Sequence, residues 1–230
     1  MRVSTMRRVD RWIGVPTCAV LTVLRRVADL FRRGNPGLPP KRIAVVKLAE
    51  QGATVLAYPA LVRASEMVGR ENLFFLVFSQ NRFILDLLDV VPKENVIVIR
   101  TSGLVSVVLE TLKAVMRMRR SGIDAAVDFE FFARSSAILT YLSGARMRVG
   151  YHAYHGEASY RGDLMTHRLV FNPFLHAGQI FRFLIEAIAV APQTLPAMDT
   201  PRWEDEQPPL IEPSAEEMAE VEAIISRVTG

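Results

Sequence analysis

The sequence predicts an α/β protein, a Rossmann-like parallel sheet flanked by helices, and three observations support this prediction. Ile43 to Val46 form a short continuous apolar run, which is typical of a strand covered on both faces. A turn containing Gly52 follows and leads into apolar residues at helical spacing, which end at Gly69. The order of strand, turn and helix then recurs, which favours parallel strands joined by right-handed crossovers.

Continuous apolar runs and apolar residues at helical spacing also predict the later elements. Strands are expected at 73–78, 95–99, 123–129 and 148–151, and helices at 54–68, 82–90, 104–120, 135–142 and 176–190. The stretch from Tyr151 to Leu175 has no clear pattern, so a long functional or disordered loop is expected there. Open α/β sheets bind ligands outside the carboxyl ends of their strands, so the turn after the first strand is the first candidate site.

Positive charge is concentrated at one end of the chain. Residues 1–42 carry ten Lys or Arg and two Asp, a net charge of +8, whereas the remaining residues have a net charge of −4. Because the body is mildly acidic and has no RNA-binding or zinc-finger spacing, nucleic acid is not an expected partner. Cys18 is the only cysteine, which excludes an internal disulfide and a cysteine metal cage.

An uncharged run of thirteen residues, Trp12 to Leu24, lies between arginines near the N-terminus. A helix that spans a membrane needs ~20 apolar residues, so this run is too short. The residues that can share one helical face are Val20, Leu21, Leu24, Val27, Ala28 and Phe31. Residues 7–33 are therefore predicted to lie on an anionic membrane surface as an interfacial helix, although a helix packed on its own domain fits equally well. A cleaved secretory signal is disfavoured because Arg25 and Arg26 stand where small cleavage-site residues belong.

Composition divides the chain into three parts. Residues 1–40 form a basic amphipathic segment that ends in a Gly- and Pro-rich linker, and residues 41–191 form the Rossmann-like domain. Residues 192–230 begin with six of the thirteen prolines and continue into an amphipathic helix, with a capping-box spacing at Ser214 and Glu217. Because this linker and helix lead to nothing further, the segment is expected to open a second domain that the chain lacks.

Several common motifs are absent. The sequence has no GxGxxG, no phosphate-loop lysine motif and no Gly-x-Ser-x-Gly turn, which removes support for dinucleotide oxidoreductases, nucleotide triphosphatases and α/β-hydrolases. The four histidines are His152, His155, His167 and His176, at a spacing that fits no standard zinc pattern. Neither a metal site nor a bound cofactor is expected in this chain.

Three segments resemble the family 9 glycosyltransferases, the lipopolysaccharide heptosyltransferases. RIAVVKLAEQGATVLAYPAL at 42–61 resembles the opening of that family, in which a strand ends in a basic residue before a short turn, Gly-Asp, and a helix with Pro-Ala-Leu. IDAAVDFEFFARSSAILTYLSGARMRVGY at 123–151 resembles the aspartate-bearing fourth strand and the segments after it, and HAGQIFRFLIEAI at 176–188 resembles the His-led helix that closes the N-terminal domain. The resemblance covers about residues 42–225 and rests on order and spacing.

The resemblance implies the N-terminal half of a GT-B enzyme, in which two Rossmann-like domains face each other across a cleft. In that arrangement the first half binds the acceptor and the second binds the nucleotide-sugar, here an ADP-heptose-like donor. The expected reaction is sugar transfer to a lipopolysaccharide-like or other envelope glycan, and the expected location is cytoplasmic, peripheral on the inner membrane. This half alone is expected to be inactive.

Ala53 departs from the family pattern at the position of the aspartate that acts as general base. Alanine cannot accept a proton, and an alcohol is a poor nucleophile until a base within hydrogen-bond reach removes its proton. Glu50 lies three residues earlier in the same turn, and the hypothesis is that Glu50 is the catalytic base. The alternative is that Glu50 is a solvated turn residue and that the protein is a non-catalytic glycolipid-binding or envelope-assembly scaffold.

Four further residues of this turn and helix start are predicted to bind substrate, namely Lys47, Gln51, Gly52 and Thr54. Lys47 matches the family's basic strand-end residue and is expected to contact a phosphate or an acidic sugar of the acceptor. A strand-end lysine that extends into water is the alternative interpretation.

A second group of predicted substrate-binding residues follows the fourth strand. Glu130 is expected to line the same cleft, or to face solvent. Arg134 and Ser135 begin a helix, and helix N-termini near an arginine attract anions, although Ser135 as an N-cap would need no ligand. A wall of the acceptor site is expected from His155, Arg161 and Arg168.

Overall fold

A computed structural model describes residues 10–31, 39–153, 160–192 and 213–229. Its strands are β1 Ile43–Val46, β2 Leu73–Phe78, β3 Val96–Ile99, β4 Ala125–Asp128, β5 Met147–Ala153 and β6 His167–Val170. They form one six-stranded sheet in the order β3-β2-β1-β4-β5-β6, and every neighbouring pair is parallel. The predicted fold class is therefore confirmed.

The helices lie between these strands and at both ends of the described chain. They are α1 Val15–Phe31, α2 Gln51–Leu56, α3 Tyr58–Val68, α4 Arg82–Leu88, α5 Leu104–Arg120, α6 Arg134–Leu142, α7 Ala177–Glu186 and α8 Ala215–Thr229. A π-helical turn, Asp10–Gly14, precedes α1. None of the helices in the described ranges is long and apolar enough to cross a membrane.

The central strand β1 is buried along its whole length, as its apolar run predicts. Alternate side chains of a strand point to opposite faces, so Ile43 and Val45 join the core under α3 and α7, whereas Ala44 and Val46 join the core that includes α5 and α6. Each fully buried valine or isoleucine contributes about 1.5–3 kcal/mol of transfer free energy. Cores on both faces fix the position of β1 and of the turn that follows it.

The helix expected at 54–68 is two helices, α2 and α3, which meet at Ala57. Pro59 lies in the first turn of α3, where its lack of an N–H is tolerated because no intrahelical acceptor is available there. Continuing α2 through this point would require a backbone donor that proline does not have.

A sixth strand is not predicted, and β6 lies within the stretch for which a loop is expected from the sequence. Its four residues, HRLV, are too few for a periodic signal, and they pair with β5 across a register shift between Tyr151 and Ala153. The structure shows a paired strand, so the loop prediction is wrong for residues 167–170.

A smaller third core joins α1 to the domain. Cys18 packs with Ala137 of α6 and with Leu164 and Met165 of the segment before β6. Gly162 makes this contact close, because a Cβ there would come within 2.7 Å of the carbonyl oxygen of Cys18.

Near the C-terminus, the predicted capping box at the start of α8 is present. The Ser214 hydroxyl accepts from the Glu217 amide at 3.2 Å, and the Ser214 amide donates to the Glu217 carboxylate at 2.8 Å. The predicted linkers at 34–40 and 192–213 lie mostly outside the described residues, so the domain boundaries remain predictions.

Candidate functional site

The turn at residues 47–50, here the β1–α2 turn, leaves the sheet at its carboxyl edge. In the observed strand order β1 has β2 on one side and β4 on the other. The chain therefore continues to one side of β1 through β2 and β3, and then crosses to the other side for β4. Such a reversal is the topological switch point where open α/β sheets form a binding crevice.

Glu130, which follows β4, holds the β1–α2 turn in place. Its Oε1 accepts hydrogen bonds from the amides of Leu48 at 2.9 Å and Ala49 at 3.0 Å. From the other side, Asn81 donates its side-chain amide to the Leu48 carbonyl at 2.9 Å. The turn is thus fixed from both neighbouring strands, and its geometry is set before any ligand binds.

Lys47 does not extend into water, because its side chain is only 1% exposed. Its Nζ lies 3.5 Å from Oε2 of Glu50 and 3.8 Å from Oε1 of Glu130, and 5.7 Å from the centre of the Phe181 ring. A buried ammonium is costly unless opposite charge compensates it, and here two carboxylates do so. The solvated alternative for Lys47 is wrong.

Glu50 combines an unusual backbone with an exposed carboxylate. Its φ of +68° lies in the left-handed region, which costs a non-glycine residue about 1–2 kcal/mol. Its side chain is 70% exposed, and its backbone carbonyl accepts from the amide and the hydroxyl of Thr54 at 3.1 and 3.2 Å. The turn therefore presents the Glu50 carboxylate to solvent while Lys47 approaches it from below.

The start of α2 leaves open space beside Glu50. A Cβ added at Gly52 would meet no atom within 4 Å. Gln51 is exposed and donates its side-chain amide to the Gln80 carbonyl at 3.2 Å. Ala53, by contrast, is partly buried and packs against the main core, so this position faces the interior more than Glu50 does.

Arg161 forms a buried ion pair with Asp128 at the end of β4. Its remaining donors bind the Ser136 hydroxyl and the carbonyls of Phe131, Ala133 and Tyr151, so all five N–H groups are directed to the protein itself. Arg161 therefore ties the segment after β4 to β5, and it has no remaining donor for a ligand.

Burial determines the ionisation of Asp128, which is fully inaccessible to solvent. Desolvation raises its pKa to about 6 and outweighs the opposing effects of the Arg161 guanidinium and the bonds from Ser136 and the Glu130 amide. Because the Glu130 amide donates to Asp128 at 3.0 Å, this carboxyl also orients the residue that holds the β1–α2 turn.

The second predicted group is only partly assembled at this edge. Arg134 starts α6 and donates Nε to the Tyr160 carbonyl at 2.7 Å, while Ser135 is exposed in the first turn. Ala133 is the N-cap, so the interpretation of Ser135 as the N-cap is wrong. Arg168 lies on β6 and pairs with Asp163 at 2.9 Å, which places it beside α1 instead. His155 lies outside the described residues.

An aromatic cluster next to Glu130 is not predicted from the sequence. Phe131 packs against Phe171 at a ring distance of 5.1 Å and against Phe181 at 5.3 Å, and Phe132 contacts Phe171 at 5.2 Å. Phe132 is exposed, so the cluster reaches the surface. Phe171 directly follows β6, and its place in the cluster is visible only once that strand is known.

Two further features bear on what the site can bind. An open groove at the amino edge of the sheet is lined by Pro40, Lys41, Arg42, Met67, Val68, Asn72, Gly122 and Asp124, none of which is a predicted site residue. Within the described residues, no group of three or more His, Cys, Asp or Glu side chains is placed to hold a metal ion. The chemistry available at the carboxyl edge is that of carboxylates, a lysine and aromatic rings.

Comparison with known proteins finds similarity in structure alone. No protein-family model matches the chain, and no curated protein matches its sequence. A family 9 glycosyltransferase from Veillonella parvula DSM 2008 superposes with a TM-score of 0.55 and 14% identity over 84% of this chain and 51% of its own. E. coli ADP-heptose lps heptosyltransferase II gives a TM-score of 0.52 and 18% identity over 80% of this chain and 50% of its own.

A third solved structure, E. coli heptosyltransferase WaaC with ADP-2-deoxy-2-fluoro heptose, gives a TM-score of 0.52 and 18% identity, and it covers 71% of this chain. The chain spans about half the length of these solved proteins, 50–51%. At such low identity the likeness shows the fold. The resemblance predicted from the sequence is confirmed at that level: this chain has the fold of one half of the GT-B family 9 glycosyltransferases.

Proposed function

We propose that this chain is the acceptor-binding half of a glycosyltransferase that transfers a sugar from a nucleotide-sugar to a lipopolysaccharide-like or other envelope glycan. The observation that carries the proposal is the exposed Glu50 carboxylate, presented at the switch point of a GT-B-like sheet with open space over Gly52. The donor would resemble ADP-heptose, an analogue of which accompanies WaaC in its solved structure, and it would occupy a second domain.

In this proposal Glu50 is the general base. The acceptor hydroxyl lies over Gly52, and its proton passes to the Glu50 carboxylate as the oxygen attacks the anomeric carbon. The bond from that carbon to the nucleotide's phosphate oxygen breaks, and the nucleoside diphosphate leaves with the electron pair. Lys47, 3.5 Å from Glu50, holds the carboxylate and provides positive charge for an acidic group of the acceptor.

The remaining residues have supporting roles in the same proposal. Gln51 is exposed at the start of α2, whereas Thr54 is buried and supports the turn through its hydroxyl bond to the Glu50 carbonyl. Glu130 fixes the amides of Leu48 and Ala49 and so sets where Glu50 points. Arg134 and Ser135 lie at the start of α6, where a phosphate of the acceptor would be bound. Arg161 acts indirectly, by holding the segment on which Glu130 stands.

Sugar transfer by the protein extended beyond Gly230 with a donor-binding half tests the proposal. We expect Glu50→Gln to lower kcat by about 100-fold or more with little change in the KM for acceptor, because the amide cannot take the proton. Glu66→Gln is the matched control, because Glu66 is exposed on α3, and it should leave both constants unaltered. Full turnover by Glu50→Gln would exclude Glu50 as the base.

A second candidate is a non-catalytic protein that binds a glycolipid or acts as a scaffold for envelope assembly. It is favoured by Ala53, a position that packs against the core and offers no proton acceptor. The same measurements separate the two, since this candidate predicts acceptor binding without transfer in both the native chain and Glu50→Gln.

We also propose a cytoplasmic, peripheral location on the inner membrane, reached through residues 7–33. The support is α1, which carries Arg25 and Arg26 and exposes apolar side chains to solvent. An acceptor embedded in the membrane would require such an arrangement, because its reacting sugar stays close to the bilayer surface.

A further inference from the structure

The side of α1 that packs on the domain is only partly apolar. The face of α1 that packs on the domain carries Cys18 and polar residues, and Thr22 and Arg25 are part of it. The Thr22 hydroxyl accepts from the Asp163 amide at 2.8 Å, and the Arg25 guanidinium pairs with the Asp163 carboxylate. The docking side of this helix therefore combines apolar contacts of Cys18 and Leu21 with polar contacts of Thr22 and Arg25.

The opposite side of α1 and of the turn before it is apolar and exposed. Its large exposed side chains are Trp12, Ile13, Val20, Val23, Leu24, Val27 and Leu30. At 100° per residue, those of α1 fall on the side away from Cys18 and Thr22. A helix that met only water on this side would be expected to carry polar residues there, so the face requires an apolar neighbour.

Two arginines lie beside this apolar face. Arg26 is one helical turn from Val23 and Leu30, and its Nη2 lies 3.6 Å from Oδ2 of Asp163. Arg168 lies on the other oxygen of the same carboxylate, 2.9 Å from Oδ1. Because both guanidinium groups meet one carboxylate and both are substantially exposed, a single phosphate could bridge them.

We propose that the outward face of α1 enters the outer few ångströms of an anionic bilayer, with Arg26 and Arg168 on a phospholipid phosphate. This names the partner in the membrane location proposed above and rests on it, but not on catalysis. A bilayer is favoured over a second copy of the chain because the apolar run lies between Arg7, Arg8 and Arg11 on one side and Arg26, Arg32 and Arg33 on the other. Two such helices would repel each other, whereas anionic headgroups attract them.

The attachment of α1 to the domain has a consequence for orientation. Gly162 and Asp163 hold the helix from below through Cys18, Thr22 and Arg25. The sheet would therefore sit at a fixed angle to the membrane, because the anchor helix packs on the domain directly.

Tryptophan fluorescence can test the insertion directly. The chain has two tryptophans, so Trp203→Phe leaves Trp12 as the only one, and its side chain is 75% exposed. With vesicles of phosphatidylcholine and phosphatidylglycerol, we expect a blue shift of Trp12 emission and quenching by bromine atoms on the acyl chains. Vesicles of phosphatidylcholine alone should bind more weakly.

Matched variants locate the contact. Leu24 on α1 and Leu112 on α5 are both 54% exposed, so Leu24→Asp and Leu112→Asp make the same change at equal exposure. Leu24→Asp should weaken vesicle binding by about tenfold or more, and Leu112→Asp should not.

Arg26→Ala with Arg168→Ala should weaken binding to the anionic vesicles by about thirtyfold, at about 1 kcal/mol for each arginine, and leave binding to neutral vesicles unaltered.

Three results would overturn the inference: no blue shift with anionic vesicles, an equal effect of both aspartate substitutions, or self-association in the absence of lipid that Leu24→Asp abolishes. Unaltered thermal unfolding of each variant would show that the fold is intact. Vesicle binding needs neither donor nor acceptor sugar, so its failure is separate from a failure of sugar transfer.

Discussion

Contacts among three charged residues stabilise the strained backbone of Glu50 in the β1–α2 turn. Lys47 is buried between the carboxylates of Glu50 and Glu130, and Glu130 also accepts from two turn amides. Strained backbone persists where the surroundings hold it, and it is concentrated at functional sites. The strain at Glu50 is thus consistent with a carboxylate that is positioned for a task.

All three residues are candidates from the sequence, but their contacts are not predictable from it. The pairing of Glu130 with the turn depends on β4 lying next to β1, a contact between residues about eighty positions apart. Arg161 is also a candidate from the sequence, where a polar loop residue suggests a ligand contact. In the structure its donors bind the buried Asp128 carboxylate and several backbone carbonyls.

Asp128 gives the stability of the protein a testable dependence on pH. Its folded-state pKa of about 6 lies above the usual 3.8, so the folded protein holds this proton more tightly than the unfolded chain does. The contribution of Asp128 to stability is therefore complete below pH ~4 and is lost as pH rises to about 6, at up to about 1.4 kcal/mol per pH unit.

Carbon-13 NMR of the side-chain carboxyls measures this directly, with a midpoint near pH 6 expected for Asp128. Glu217 serves as the internal comparison, because hydrogen bonds from the Ser214 amide and hydroxyl lower its pKa below the usual value. If Asp128 titrates below its usual value, its pairing with Arg161 outweighs burial and the predicted loss of stability reverses in sign.

Among the secondary-structure elements, strands with continuous apolar runs are predictable, and short or interrupted elements are not. β1 and β2 are buried on both faces, so their sequences alone mark them. The break between α2 and α3 depends on one proline, and β6 on pairing with β5. The sequence predicts Leu21 on the lipid side of α1, but Leu21 packs against the third core. The ion pair of Arg25 with Asp163 turns this side of the helix toward the domain.

Gly162 controls the docking of α1. Its φ of +70° and the 2.7 Å approach of a Cβ to the Cys18 carbonyl leave no room for a side chain. We expect Gly162→Ala to lower the free energy of unfolding by about 1–3 kcal/mol and to increase hydrogen exchange in α1. Gly52→Ala is the control, since a Cβ there meets nothing within 4 Å, and stability should stay constant or rise slightly. Equal losses from the two substitutions would contradict the close helix contact as the cause.

In the molecule as a whole, the parallel sheet with helices on both faces has the fold of one half of the GT-B family 9 glycosyltransferases. The alternation of strands and helices makes this architecture predictable, since parallel strands and right-handed crossovers leave few alternatives. The exposure of the apolar side of α1 and of the Glu50 carboxylate depends on contacts between distant segments. Those features required the structure.

The proposed catalysis depends on one event, the loss of a proton by an acceptor hydroxyl at the β1–α2 turn. Single-turnover rates of sugar transfer in the extended protein isolate this event, measured for Glu50→Gln alone and for Glu50→Gln combined with Ala53→Asp. We expect a loss of about 100-fold or more in the first variant and only partial recovery in the second, because the added carboxylate lies three residues away at a position that packs against the core. An unchanged rate in Glu50→Gln would contradict the assignment of Glu50 as the base.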